Sequence, residues 1–114
     1  MLNLLRYRAF ADYSATPQLA PATPVTGEAA YRLYMEHTMP YLERSGGRVI
    51  FFGRGGEFLV GPEGERWDAA MLVEQASTAA FLAFASNAEY LAGTGHRAAA
   101  LEDSRLLPLQ ECAW

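Results

Sequence analysis

Two histidines are the only side chains in this sequence whose ordinary titration falls near neutral pH. His96 stands between Gly95 and Arg97. A histidine so placed can act as a general acid or base, or bind a carboxylate together with Arg97. It can equally cap a helix or bond a backbone carbonyl. His37 lies within a helical pattern, one turn from Leu33 and Tyr41, where a boundary histidine is the plain alternative. The two histidines stand in no metal-ligand spacing, so no metal and no cofactor is expected. Asn3 and Arg6 sit on opposite faces of an apolar N-terminal segment. Each is either a structural bonding partner or an anchor for a small anionic ligand. Tyr31 and Tyr34 fall on an apolar helical stripe and read first as core. Glu102 and Asp103 are adjacent carboxylates that could pair with Arg97 or Arg105, and a local ion pair is their default. The glycines at 53, 55 and 56 make no nucleotide-binding fingerprint, because no helix opens after them.

Composition removes several classes of chemistry. All nine basic residues are arginine, so a lysine Schiff base is excluded. The net charge is −4 and no basic stripe exists, which argues against nucleic acid as a partner. Cys112 is the only cysteine; it has no internal partner and suits a reducing compartment. Arg6 and Arg8 interrupt the first apolar run, unlike a signal peptide. The uncharged stretch Gln75–Ala88 is too short to span a bilayer. A cytoplasmic protein with no membrane partner is the expectation.

The elements that must position these residues follow from periodicity. The 114 residues fit one domain, 1–114. Leu2–Phe10 reads as a strand. Ala11–Thr26 holds Pro17, Pro21 and Pro24 and reads as a long irregular loop, suited to a lid or an arm. Gly27–Ser45 reads as a helix with Tyr31, Tyr34, Met35, Thr38 and Leu42 on one stripe, Thr26 as N-cap and Gly46 as a left-handed terminator. Arg48–Val60 is a strand with a bulge expected at Gly55-Gly56. A turn at Gly61–Gly64 leads to a strand at Trp67–Gln75. A helix runs from Ser77 through Asn87, a further helical turn holds Tyr90 and Leu91, Gly93 and Gly95 break it, and His96–Leu101 forms one more turn. Ser104–Leu109 is the last strand, placed at an edge by Pro108.

The order is βαββαβ, an α+β ferredoxin-like fold with two helices on one face of a four-stranded antiparallel sheet. The alternation leaves both sheet faces apolar at the middle. Two helices cover one face, so the other predicts a homodimer packed sheet to sheet.

Several segments then match a known family. They are Asn3–Arg6, Gly46-Gly47-Arg48, Glu65-Arg66-Trp67-Asp68, Asn87-Ala88-Glu89-Tyr90-Leu91, and His96-Arg97 through Glu102-Asp103-Ser104-Arg105. Over about residues 1–10 and 27–109 the chain resembles domain-of-unknown-function family 1330, of the dimeric α+β barrel superfamily. The resemblance implies a ferredoxin-like fold and a dimer, and it implies no reaction. The wider superfamily is similar in fold to cofactor-independent monooxygenases, haem-degrading enzymes and muconolactone isomerases, an analogy of fold alone. The functional expectation is a small-molecule-binding protein, or a cofactor-independent enzyme, with a pocket between sheet and helices. Its expected residues are Asn3, Arg6, Tyr34 and Arg97 for the ligand and His96 for catalysis. A non-catalytic dimeric structural or regulatory module is the alternative.

Overall fold

The computed structural model describes residues 1–113. Its elements are β1 (Leu2–Tyr7), α1 (Gly27–Arg44), β2 (Arg48–Glu57), β3 (Arg66–Glu74), α2 (Thr78–Ala85), α3 (Ala88–Leu91), α4 (Thr94–Ala100) and β4 (Leu101–Leu107). The strands form one antiparallel sheet in the order β2-β3-β1-β4. That order is the ferredoxin-like one, with the second helix broken into three pieces. No helix among the described residues is long and apolar enough to cross a membrane.

Local chemistry sets the ends of α1. The Thr26 hydroxyl accepts from Ala29 N at 3.1 Å, satisfying one of the four N–H groups that a helix start leaves open. At the other end Gly46 takes φ +84°. Gly46 N donates to Glu43 O and Gly47 N to Leu42 O, both at 3.0 Å. This paired closure turns the chain sharply into β2. Between the ends, Ala30, Tyr31, Tyr34, Thr38 and Leu42 are buried against Leu5, Ala69, Met71 and Val73 of the sheet.

The second helix differs from its expected course. Instead of running through Asn87 it stops at Ala85. The Ser86 hydroxyl bonds back to Leu82 O at 2.7 Å. Asn87 then caps a new turn, accepting from Glu89 N at 2.9 Å and Tyr90 N at 3.1 Å. Short polar side chains that compete for backbone groups break the helix here. The break redirects the chain so that Tyr90 meets α1.

Two strand expectations are corrected. The bulge in β2 is at Ile50, where the register to β3 shifts between Val49 and Phe51; Gly55-Gly56 stays in the ladder, with Gly56 opposite Trp67. The extra residue lets Val49 and Phe52 both face the helices while Phe51 pairs with Leu72 on the other side. Strand β4 begins at Leu101, directly out of α4, because Leu101 is core and pairs with Tyr7. Pro108 falls just past this edge strand.

The loop 11–26 is irregular apart from a 3-10 turn at Pro17–Leu19. It is pinned by Ala11 N to Val25 O and Asp12 N to Ala99 O, each 2.9 Å. Gly27 closes it. Gly27 N donates to Arg8 O at 3.1 Å, and Arg8 N donates to Ala100 O at 2.8 Å. A Cβ at Gly27 would collide with Arg8 O and lie 2.6 Å from Ala100 O. Gly27→Ala is therefore expected to destabilise the protein by about 2 kcal/mol or more. Gly56→Ala, whose Cβ would meet nothing within 4 Å, serves as the control and stays within about 1 kcal/mol of the parent. Urea midpoints of the two variants check the contrast.

Candidate ligand-binding cleft

Between α1, the α2–α4 segment and the sheet lies a cleft of about 480 Å³. One helix-facing row of the sheet runs Phe52–Met71–Asn3–Leu106 across all four strands. Asn3 is the polar member of that row and is 9% exposed. Its amide reaches Met71 O at a long 3.5 Å, so most of its hydrogen-bonding capacity faces the cleft. From α1 come Tyr34 and Thr38, from α3 Tyr90, and from α4 Arg97. Met35, Leu42, Phe81 and Phe84 supply apolar wall.

Arg97 is half-buried; it donates to Ser104 Oγ at 3.2 Å and stands close enough to the Tyr31 hydroxyl to favour its ionised form. It has no carboxylate within ion-pair distance among the described residues. The cleft lining contains no Asp or Glu. Tyr34 Oη and Tyr90 Oη are 2.8 Å apart. Burial, reinforced by the bond to Tyr90, pushes the Tyr34 hydroxyl far above its ordinary range, and burial does the same for Tyr31. The Tyr34 hydroxyl thus stays protonated at neutral pH. Thr38, 5% exposed, lies against Tyr34 closely enough to favour its ionised form slightly, yet its Oγ1 is outside hydrogen-bonding geometry. The cleft combines one fixed cation with neutral donors. It can hold an anion and polarise an oxygen, and none of its lining side chains is an Asp, Glu, His or Cys that could serve as a base.

A second cleft of about 420 Å³ lies beyond Tyr31, Met35 and Val49, which line both. Its charged groups are paired: Arg54 meets Glu28 at 3.0 Å and Arg32 meets it at 3.9 Å, while Asp68 pairs with Arg66, outside the lining, at 3.2 Å. Among the described residues no three His, Cys, Asp or Glu side chains come together as a metal site.

A family profile described as a domain of unknown function, DUF1330, matches residues 20–108. The chain belongs to the DUF1330 family. Among solved structures it is similar to a protein of unknown function from Rhodopseudomonas palustris. The two are 37% identical, with a TM-score of 0.81, over 96% of this chain and 81% of that one. A structure of the methylated form of that protein gives 38% identity and a TM-score of 0.80, over 96% of this chain and 78% of that one. No curated protein matches the chain.

Of the five residues singled out in this DUF1330 sequence, Asn3, Tyr34 and Arg97 meet in the first cleft and the other two do not line it. Arg6 is on the opposite sheet face. Its guanidinium donates to Arg66 O at 3.1 and 2.7 Å and lies 3.8 Å from Asp103. It also covers the Trp67 ring at 4.6 Å, with Arg105 at 5.1 Å. Alternation along β1 puts Arg6 opposite in sense to Asn3 and Leu5, so it cannot share their site. Sequence reasoning missed Tyr90 and Thr38. Thr38 stood on the core stripe of α1, and Tyr90 stood in a further helical turn whose approach to Tyr34 no sequence signal marks.

His96 faces the loop. Its Nδ1 is 2.7 Å from Tyr13 Oη, with the rings edge to face at 5.5 Å. Thr16 and Leu19 pack over Gly95 beside it. The loop thus covers α4, and none of its residues lines the first cleft. Burial, with His37 as a smaller cause, lowers the His96 pKa below its ordinary 6.5. The unfolded chain therefore takes up this proton at higher pH than the folded chain. Stability from His96 is fully present above about pH 6.5 and is lost as pH falls toward the folded value. Between pH 7.5 and 5.5 the parent should lose more of its urea midpoint than His96→Gln does. Equal losses would show that the imidazole contributes nothing to holding the loop.

Proposed function

We propose that this protein binds a small organic carboxylate in the first cleft, with Arg97 as the anchor. The observation that carries the reading is a half-buried guanidinium with no acidic partner among the described residues, at the wall of a largely apolar cleft. Such a cation is favoured when an anion completes it, and a planar guanidinium matches a carboxylate in two parallel hydrogen bonds. Asn3 lies on the cleft floor and supplies a further polar contact. The apolar walls select an acid with a hydrocarbon or aryl body. The donors suit binding and polarisation of the ligand, and a binding protein is the reading they favour. His96, expected from sequence as the acid or base, is assigned to anchoring the loop through Tyr13.

The functional unit in this proposal is a homodimer. On the face away from the helices, Phe51, Leu72, Leu2 and Leu107 form a row across all four strands. Phe51 is 60% and Leu107 52% exposed. A continuous apolar row of this kind is matched by a second copy of itself across a two-fold axis. A cytoplasmic setting fits the single free thiol of Cys112.

Two measurements test these readings. Calorimetric titration of hydrocinnamate should show binding that the neutral hydrocinnamamide lacks, and Arg97→Gln should weaken it at least about tenfold. Equal binding of acid and amide, or no effect of the substitution, would remove the anchor. Sedimentation should give a dimer at micromolar concentration, burying on the order of 2,000 Å², and Phe51→Glu should return it to monomer. A parent that sediments as a monomer would overturn the dimer.

A further inference from the structure

The tyrosine pair on the cleft wall has one proton more than its own hydrogen bond uses. Tyr34 Oη and Tyr90 Oη, 2.8 Å apart, share a single hydrogen bond in which either is the donor. The second hydroxyl proton then requires an acceptor elsewhere. Thr38 Oγ1, the nearby buried oxygen, is in hydrogen-bonding geometry with no group among the described residues and brings a donor of its own. The lining holds no carboxylate that could accept. One hydroxyl proton on the α1–α3 side of the cleft is thus left for a ligand or for water. On the α4 side stands Arg97, which donates only.

We infer that the natural ligands of this cleft are oxo acids: Arg97 holds the carboxylate, and the Tyr34–Tyr90 pair donates to a carbonyl oxygen of the same molecule. The inference rests on the carboxylate reading above and adds a second recognition point to it. A carbonyl fits because it accepts without bringing a further proton. A plain carboxylic acid would leave the tyrosine proton to water in an apolar cleft, and removing a buried donor's partner is costly. Phe84 packs on the Tyr90 ring at 4.4 Å between centroids. The hydroxyl is therefore carried on a ring packed against Phe84 and is aimed before the ligand arrives.

Two matched pairs of acids provide the test, by calorimetric titration of the full chain. Phenylpyruvate is compared with hydrocinnamate, and benzoylpropionate with phenylbutyrate; each pair differs by a ketone in place of a methylene. In at least one pair the oxo acid should bind about tenfold more tightly, the worth of one well-made hydrogen bond. Which pair shows the preference reports how far the tyrosines stand from the arginine. Because either hydroxyl can donate, both are removed together: Tyr34→Phe with Tyr90→Phe keeps the two rings and should bring the oxo acid down to the affinity of its plain partner, leaving the plain acid unchanged. Equal affinities within both pairs, or a preference that survives the double replacement, overturns the inference. If the plain acids still bind through Arg97, the carboxylate reading stands while this one fails; if no acid binds, both fail. The comparison on the parent protein decides the matter even where the variant does not fold.

Discussion

Backbone meets backbone at Gly27 with no room for a side chain, and the placement of both helical layers follows from that contact. The last residues of β1, the first turn of α1 and the passage from α4 into β4 converge there through Gly27 N to Arg8 O and Arg8 N to Ala100 O. Once α1 starts at this point, its stripe falls on Leu5, Ala69 and Met71, and Tyr34 is carried along the sheet toward Asn3. Once α4 is held by Ala100, Arg97 stands one turn back on the same side. The cleft is the space left over the sheet between two helical segments, α1 and α2–α4, whose separation is fixed at one end.

The sheet is covered unequally. Strand β2 is an edge, and the helices do not close over it: Phe52 on the helix side is still 49% exposed. The bulge at Ile50 decides which aromatic faces which way, and so sorts Phe51 to the bare face and Phe52 to the helix face. Aromatic rings then run as a line through the helix layer. Tyr7, Tyr31, Tyr34, Tyr90 and Phe84 follow one another at centroid spacings of 5.9, 5.3, 6.2 and 4.4 Å. Such a line resists compression, and the two clefts lie on either side of Tyr31.

Much of the fold was legible because local chemistry and long-range packing agree. The Thr26 cap, the Gly46 terminator and the stripe of α1 were each readable from a few adjacent residues, and the structure uses them as such. The α2–α4 region was legible in its later turns, at Tyr90 and Leu91 and from His96, and differs only where its first helix ends. Its alanines look uniformly helical, while Ser86 and Asn87, which end one helix and start the next, carry a weaker signal than glycine or proline. The bulge was misplaced because glycines advertise irregularity, whereas the structure relieves register where two apolar residues are needed on one face. The site divides the same way. Asn3, Tyr34 and Arg97 share one cleft, but strand alternation alone already put Arg6 on the face opposite Asn3. The partner of His96 is Tyr13, in a loop whose prolines show irregularity and give no clue to its path.

The break at Ser86–Asn87 also governs how the cleft could admit anything. α3 is a single turn of four residues, far below the length at which a helix holds itself together in water. Its order is borrowed from the Asn87 cap, from Phe84 against Tyr90 and from the hydroxyl contact to Tyr34. Segments of that kind have the lowest free energy of local opening in a domain. Amide exchange in the native state would then be fastest along 86–93 among the helical residues, and access to the interior would be controlled by the fraying of one turn, with the sheet and α1 standing still.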